Sequence, residues 1–431
     1  MNSSHVALPK SRWARLIPMV FITYSLAYLD RSNYGFGAAA GMKEALHITG
    51  GASALLGALF FLGYFFFQVP GAHYAEKYSA RKLIFWALIS WGILASTQGV
   101  ITNIPLLFVD RFLLGVVESA VMPAMLVFIS HWFVKEERSR ANTFLILGNP
   151  VTVLWMSVIS GYLVQWFHWQ GMFLIEGIPS VIWAFVWLAV VRDRPKDATW
   201  LSPAEQQAVE HRLLSEQSGL EEVKNYREAF RSKPVVLLSF QYFFWSIGVY
   251  GFVLWLPSMI RSASKVGIVS TGWLSSVPYL LAAILMILTS YWSDRSNHRK
   301  TFVWVSLFIG AVAFYGSYLL GASNFWMSFV VLVIAGGAMY APYGSFFAMI
   351  PEMLPRNVAG GAMALINGMG ALGSFAGSYV VGYLNSLTGN PSLSYAFMAV
   401  CLLLSVVFTL VVRTRRNVLL ANTSSEGAVS Q

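Results

Sequence analysis

Long apolar stretches alternate with short polar segments along the whole chain. A run of about 20 apolar residues is long enough to cross a hydrocarbon core of about 30 Å as a helix. The pattern predicts twelve such spans, numbered here in chain order. They cover residues 16–37, 53–74, 83–102, 105–130, 142–165, 171–191, 236–258, 272–292, 302–321, 325–349, 359–384 and 394–412. The sequence therefore predicts an all-α membrane protein with twelve transmembrane helices.

The longest polar interval, 192–234, divides the spans into two sets of six. We predict an N-terminal six-helix bundle, a cytoplasmic linker, a C-terminal six-helix bundle and a cytoplasmic tail. Their predicted ranges are 1–191, 192–234, 235–413 and 414–431. Within the linker, Ser202-Pro203-Ala204-Glu205 is typical of a helix N-terminus, because a capping serine precedes proline and is followed three residues later by glutamate. A short surface helix is expected there.

The composition agrees with a membrane protein and argues against several other classes. Hydrophobic residues make up 57% of the chain and charged residues 11%, and the mean hydropathy is +0.61. A soluble domain is far more charged. The histidines have no metal-ligand spacing, and Cys401 is the single cysteine. No phosphate-binding loop of the Gly-x4-Gly-Lys-Ser/Thr type occurs, so we expect no metal, no cofactor and no ATP-driven pumping.

The basic residues predict the orientation. Apart from two arginines inside spans, only Lys43, Arg261 and Lys265 fall on one side of the predicted membrane. Because positive charge in short loops stays in the cytoplasm, both termini are expected there. This distribution also explains the net charge of +10 without nucleic-acid binding, since the basic residues are spread over many loops.

Four charged side chains lie inside apolar spans: Asp30 and Arg31 in span 1, and Arg111 and Glu118 in span 4. Charges at membrane depth are costly and persist mainly along internal pathways, so they indicate the functional centre. Arg111, Gly115 and Glu118 share one helix face, whereas Asp30 and Arg31 point about 100° apart. We therefore expect one of the span 1 pair to face a cavity and the other a neighbouring helix.

Fixed positive charge beside protonatable acids suits the transport of an anion together with protons. In this hypothesis Arg31 or Arg111 attracts a substrate carboxylate, while Asp30 and Glu118 take up and release protons. The alternative is that Asp30–Arg111 and Glu118–Arg31 are static salt bridges that hold span 1 to span 4.

The spans of the second half carry no Asp, Glu, Lys or Arg at mid-depth. The C-terminal bundle is therefore expected to recognise a neutral part of the substrate. Candidate contacts are Gln241 and Tyr250 in span 7, Tyr343 and Ser345 in span 10, and Asn367 in span 11. An amide both donates and accepts hydrogen bonds, which suits sugar hydroxyls.

Two related basic segments follow spans 2 and 8. Residues 71–82 (GAHYAEKYSARK) and 293–300 (SDRSNHRK) resemble the loop motif of the major facilitator superfamily. The first copy has Glu76 where aspartate is usual and alanine before its basic pair where glycine is usual. The resemblance implies a cytoplasmic ion-pair latch, with Glu76, Arg81, Asp294 and Arg295 as gating residues.

The segments Tyr28-Leu-Asp30-Arg31-Ser-Asn33 and Arg111-Phe-Leu-Leu-Gly-Val-Val-Glu118 resemble the anion:cation symporter branch of that superfamily. Residues 17–30 are most similar to bacterial aldonate importers of the L-rhamnonate type. The resemblance implies that Asp30 and Glu118 are the protonation sites. It also implies substrate contacts at Tyr28, Tyr64, Asn149 and Asn367. Gln170 stands where this branch commonly has arginine, so a fixed charge is absent there.

These observations predict a secondary transporter that imports an organic anion, such as L-rhamnonate or a related aldonate, by proton symport and alternating access. Its expected partners are the small anion, protons and lipid, and the resemblance implies a monomer in the bacterial inner membrane. An organic anion exchanger or efflux antiporter is the alternative. A membrane enzyme is disfavoured because the buried acids have no nucleophile or metal partner.

Overall fold

The computed structural model describes residues 8–217, 233–296, 298–353 and 356–412. Over these ranges the regular structure is helical throughout. Nine helical stretches among the described residues are long and apolar enough to cross a membrane, and one of them, Arg140–Val190, contains both spans 5 and 6. With spans 1 and 3 they make the predicted twelve-helix fold.

The N-terminal bundle holds spans 1 to 6. Their helices are Ser11–Ser32 (span 1), Gly50–Tyr74 (span 2), Ala80–Thr97 (span 3), Ile104–Ser119 with Val121–Trp132 (span 4), and Lys135–Val190 (spans 5 and 6). Short helices Tyr34–Ala39 and Met42–Ala45 join spans 1 and 2, and a π-helical turn, Ala75–Ser79, joins spans 2 and 3. Helix Lys135–Val190 turns at His168, whose backbone is left-handed with φ 57°.

The C-terminal bundle holds spans 7 to 12. Their helices are Lys233–Ser264 (span 7), Ile268–Ser296 (span 8), Arg299–Leu320 (span 9), Phe325–Tyr340 with Tyr343–Met353 (span 10), Arg356–Thr388 (span 11) and Ser392–Val411 (span 12). Short 3-10 turns lie at Pro195–Asp197 and Gly321–Asn324. Below, the side where span 1 begins and span 12 ends is called the terminal face, and the other side the opposite face.

Prolines explain the interruptions of spans 4 and 10. Span 4 is broken at Ala120, close to Pro123, and span 10 is broken at Ala341 and Pro342. Proline has no N–H to donate to the carbonyl four residues earlier, and its ring clashes with that carbonyl. In span 4 the interruption comes directly after the helical turn that carries Glu118.

Glycine allows spans 2 and 4 to touch through their backbones. A Cβ built on Gly115 would lie 1.9 Å from the Phe60 carbonyl oxygen, which no real side chain could tolerate. Gly115 lies between Arg111 and Glu118 on the shared helix face predicted above. The close approach therefore brings span 2 against the charged face of span 4.

The linker packs on the terminal face of the N-terminal bundle. The Trp200 ring stacks on Trp132 with 5.4 Å between centroids, and the Arg15 guanidinium lies 5.2 Å from the Trp200 ring centre. Helix Pro203–Gln217 follows, and it begins with the capping box that the sequence pattern predicts. The Ser202 N–H donates to Glu205 Oε2 at 2.9 Å, and the Glu205 N–H donates to Ser202 Oγ at 3.3 Å.

Candidate functional site

A small cavity lies between the two bundles, near the middle of the spans. Its volume is about 40 Å³, which gives room for only a few water molecules. Both halves of the chain contribute polar side chains to its wall. These are Tyr24, Arg31, Tyr64 and Asn149 from the N-terminal bundle and Tyr242, Ser246, Tyr250, Tyr343, Asn367 and Ser374 from the C-terminal bundle. Among the described residues, Arg31 is the one charged side chain in this wall.

Arg31 is held by contacts from both bundles. Its Nη2 lies 3.2 Å from Glu118 Oε2, and its Nη1 donates to the Tyr250 hydroxyl at 3.4 Å. The guanidinium also lies 4.7 Å from the centre of the Tyr64 ring and 5.3 Å from that of Phe60. Arg31 Nε is buried without a hydrogen-bond partner. The positive charge is thus fixed by one carboxylate and aromatic faces, and it retains capacity for a further acceptor.

Asp30 points away from this cavity, as the angular separation from Arg31 predicts. Ser180 Oγ of span 6 donates to Asp30 Oδ2 at 3.2 Å, and Asp30 Oδ1 has no hydrogen-bond partner. Glu176 lies one helical turn before Ser180 and accepts from Ser160 Oγ of span 5 at 2.5 Å. Asp30 and Glu176 are therefore buried acids among spans 1, 5 and 6, behind the cavity wall.

Arg111 also lies inside the N-terminal bundle and does not line the cavity. Its Nε donates to the Leu56 carbonyl and its Nη1 to Gln98 Oε1, both at 3.3 Å. The guanidinium lies 4.9 Å from the centre of the Tyr34 ring. Of the two salt bridges considered from the sequence, Glu118–Arg31 is formed, whereas Asp30 is bonded to Ser180 and Arg111 to these neutral groups.

Hydroxyl groups join the bundles beside Arg31. The hydroxyls of Tyr28 and Tyr340 lie 3.1 Å apart, in spans 1 and 10. Tyr250 packs with its ring centre 4.6 Å from that of Phe61 in span 2. These contacts place the side chains of spans 7 and 10 against the charged end of span 1.

The remaining sequence-predicted residues are only partly brought together. Asn149, Tyr64 and Asn367 line the cavity, whereas Tyr28 is outside its wall and its hydroxyl contacts that of Tyr340. Gln241 and Ser345 are buried outside the wall, with side-chain polar atoms that have no hydrogen-bond partner.

Sequence reasoning missed several contacts around the cavity. Asn367 Nδ2 donates to Gln68 Oε1 at 2.7 Å, which links spans 11 and 2 on the terminal side of the cavity. Tyr24 and Tyr242 also line it. The spacing of Tyr24, Tyr28 and Arg31 at i, i+4 and i+7 was the available signal, because it puts all three on one helix face.

The chain matches the Major Facilitator Superfamily model over residues 20–270 and 260–430. The chain belongs to the major facilitator superfamily. It is a multi-pass membrane transporter and not an enzyme. The expected family is therefore confirmed.

Relatives along most of the chain carry different substrate names. The chain is 29% identical to the quinolone resistance transporter of Acinetobacter baumannii over 92% of this chain and 93% of that protein. It is 29% identical to a putative tartrate transporter of Agrobacterium vitis, covering 92% of this chain and 89% of the relative. It is 24% identical to the D-galactonate transporter of Escherichia coli, covering 95% and 97%.

Solved structures agree with the fold. A bacterial homolog of the human lysosomal transporter Spinster, in an inward-facing and unoccupied conformation, superposes with a TM-score of 0.70 at 18% identity. The match covers 94% of this chain and 96% of that one. At this identity the likeness concerns the fold alone.

The first copy of the superfamily loop motif, residues 71–82, lies at the terminal face. Its side chains contact residues outside the motif. Glu76 is exposed and forms no ion pair with the described residues. Asp193, directly after span 6, accepts from Ser79 Oγ at 2.7 Å and from the Arg81 N–H at 2.9 Å. The Arg81 guanidinium donates to the Leu188 carbonyl. The carboxylate that binds the start of span 3 therefore comes from the end of span 6.

The second copy of the motif forms contacts within its own segment. Asp294 Oδ1 lies 3.2 Å from Arg299 Nη2, and Arg295 Nη1 donates to the Tyr291 hydroxyl at 3.3 Å. Lys300 Nζ donates to the carbonyls of Leu410 and Val412, which end span 12. In this conformation Asp294 and Arg295 contact their own bundle.

Proposed function

We propose that this transporter carries a small organic anion, a sugar acid of the aldonate type such as L-rhamnonate, by proton symport and alternating access. The observation that carries the proposal is the position of Arg31. It is a buried, permanently charged group in the wall between the bundles, and its ionic partner, Glu118, is a group that protons can neutralise.

The coupling follows from competition for one guanidinium. While Glu118 is ionised it holds Arg31 as an ion pair. A proton on Glu118 removes that charge, and the substrate carboxylate then becomes the counter-ion of Arg31. Proton and anion thus favour each other's binding, and linkage makes this effect reciprocal. A second proton on Asp30 would act through the packing of spans 1 and 6, because Asp30 contacts Ser180 and not the cavity.

The neutral part of the wall supports a hydroxylated substrate. Tyr64, Tyr250, Tyr343, Asn149 and Asn367 line the same cavity as Arg31. Groups that both donate and accept suit a polyhydroxylated acid. The relatives named for tartrate and D-galactonate agree with this class of substrate. Since the cavity has only about 40 Å³, loading requires the bundles to move apart.

The transport unit in this proposal is a monomer in a bacterial inner membrane, with the terminal face in the cytoplasm. The gradients drive net transport, and a ligand shifts the equilibrium between the two access states only through its differential affinity for them. The empty carrier and the carrier loaded with both anion and proton must therefore reorient readily, while partly loaded carriers reorient slowly.

The test is uptake into proteoliposomes. Labelled L-rhamnonate, D-galactonate and tartrate are offered with and without an acidic exterior. Accumulation of one of them that depends on the gradient supports symport, and the neutral sugar alcohol galactitol should not be accumulated. If no labelled acid is taken up under any gradient, the proposed substrate class is wrong.

Exchange or efflux is the second candidate, and the relative named as a quinolone resistance transporter favours it. Proteoliposomes preloaded with unlabelled anion distinguish the two. Exchange predicts rapid uptake of label that depends on internal anion and is insensitive to the gradient. A quinolone offered to the same vesicles tests the efflux reading directly.

A further inference from the structure

A second and much larger cavity opens between the bundles at the opposite face. Its volume is about 560 Å³. Its wall combines Lys43 and Ser53 from the N-terminal half with Arg261, Ser262 and Asn385 from the C-terminal half. We call this cavity the vestibule.

Three helices contribute to the walls of both the vestibule and the central cavity. Span 2 contributes Ser53 to the vestibule and Tyr64 to the central cavity, and span 7 contributes Ser262 and Tyr250 in the same way. Span 11 contributes Asn385 and Asn367. At a rise of about 1.5 Å per residue, the paired positions lie roughly 17–27 Å apart along each helix. The two cavities therefore follow one another along the interface of the bundles.

A packed layer separates the two cavities. A Cβ built on Gly35 would lie 2.3 Å from the Leu254 carbonyl oxygen, so the bundles touch there through their backbones. The next residue, Trp255, packs edge-on against Tyr34 with 6.4 Å between ring centres. Trp255 is also part of the vestibule wall, as its floor. A solute in the vestibule is thus stopped one layer before Arg31.

The vestibule contains most of the positive charge expected on its face. The sequence leaves only Lys43, Arg261 and Lys265 on this side of the membrane, and the first two line the cavity. Glu44 also lines it and lies 3.6 Å from Lys43 Nζ, but the Glu44 side chain is 67% exposed. The Arg261 guanidinium spans the bundles and donates to the Ala39 carbonyl. This contact uses one of its five N–H donors.

We propose that the vestibule is a second anion-binding site, which holds a hydroxy-acid anion before the packed layer opens. Lys43 and Arg261 attract the carboxylate. Asn385 and the wall serines Ser53 and Ser262 form hydrogen bonds with the hydroxyl groups. This inference rests on the proposed function for its substrate class. It assigns the site a capture role on the transport path, distinct from the coupling at Arg31.

Thiol labelling at the vestibule tests the site directly. Ser262 is exposed in the wall, whereas the natural Cys401 is buried, so Ser262→Cys introduces one reactive thiol and the parent protein is the blank. In intact proteoliposomes we expect an anionic methanethiosulfonate to label the introduced thiol faster than a cationic one does. D-galactonate should slow this labelling, and galactitol at the same concentration should not.

The double variant Arg31→Gln/Glu118→Gln separates the two proposals, because it removes the cation of the central cavity without leaving a buried, unpaired Glu118. Protection by D-galactonate should persist in this variant, because the vestibule binds the anion without Arg31. Loss of protection in it would show that the anion acts from the central site, which overturns the vestibule site and leaves the proposed function intact. Protection in the natural protein without any transport of sugar acids would support the vestibule site and overturn the proposed function.

Matched lysines test the charge. Lys43→Gln should lower the ratio of anionic to cationic labelling roughly two- to fivefold, the range for one exposed charge. It should also raise the KM for uptake from the vestibule side, with kcat and the KM from the terminal side unchanged. Lys265→Gln removes the same charge on the same face but outside the wall. It should change neither the labelling ratio nor the KM for uptake from the vestibule side. Equal effects of both variants, or no effect of Lys43→Gln, would overturn the proposal.

Discussion

Arg31 Nη2 and Glu118 Oε2 lie 3.2 Å apart, with side-chain exposures of 4% and 0%. Burying two charges has a desolvation cost that often equals or exceeds their attraction, so such a pair is weak evidence for stability. Its position in the wall between two moving bundles is better explained by a change of partner. The first prediction below and the closing measurement test which group is the partner of Arg31, and the others test the neighbouring acids, Arg111 and the linker.

The first prediction concerns the two ways of neutralising this pair. Arg31→Gln leaves a buried, unpaired Glu118 and should destabilise the fold by about 3–5 kcal/mol unless the acid takes up a proton. The double variant Arg31→Gln/Glu118→Gln removes both charges and should recover most of that stability. Thermal unfolding in detergent measures both changes.

Transport by the same double variant distinguishes function from scaffolding. The substrate carboxylate has no cation in the central cavity of the variant, so uptake should stay at background although the protein folds. A static salt bridge predicts the opposite, since removing both charges would restore transport together with folding. Arg31→Lys keeps the charge but loses the planar fork, and should raise the KM.

The second prediction concerns Asp30. Asp30→Asn keeps the side-chain shape and the contact with Ser180, while removing the protonatable group. We expect gradient-driven accumulation to fall to near the level of exchange, with folding preserved. Ser180→Ala removes the hydrogen bond alone and keeps the protonatable group, so gradient-driven accumulation should persist in this variant. Normal accumulation by Asp30→Asn would exclude this acid from coupling.

The third prediction concerns Arg111, which donates to the Leu56 carbonyl and to Gln98. Arg111→Gln leaves the buried Gln98 Oε1 without this donor, and should lower the free energy of unfolding by about 1–3 kcal/mol. The substrate KM of the folded fraction should be unchanged. Substrate-protection assays on purified protein follow the strength of substrate binding. A raised KM with normal stability would place the substrate carboxylate at Arg111 instead.

The fourth prediction concerns the linker helix. Hydrogen bonds from the Ser202 backbone N–H and hydroxyl hold the pKa of Glu205 below its usual range. The contribution of the ionised cap is therefore present above the unfolded pKa of the carboxyl and is lost as pH falls through the folded pKa. Amide hydrogen exchange at the start of helix Pro203–Gln217, corrected for intrinsic rates, should accelerate in that range. The neutral variant Glu205→Gln should show no such pH dependence.

The sequence predicted the span pattern because membrane burial acts on every residue of a long segment. It located Arg31 and Glu118 for the same reason, since a charge in an apolar helix is conspicuous. It could not decide between Arg31 and Arg111, because that choice depends on the rotation of span 1 and on the close contact of Gly115 with Phe60.

The sequence pattern could not predict contacts between segments that are distant in the chain. Asp193 caps the start of span 3 from 112 residues beyond Arg81, and nothing local to either segment indicates the pairing. In the sequence, Gln68 is a single polar residue in an apolar helix. Its partner, Asn367 of span 11, is identified only by the folded structure. The vestibule, too, exists only because two bundles meet, so its wall residues are far apart in the chain.

The most direct test of the central claim is Glu118→Gln in proteoliposomes, with labelled D-galactonate measured in two modes. With an acidic exterior, we predict that the variant fails to accumulate substrate while the natural protein does. In counterflow without a gradient, the variant should still exchange substrate, because a neutral residue 118 leaves Arg31 available to the carboxylate. Gradient-driven accumulation by Glu118→Gln equal to that of the natural protein would contradict the account.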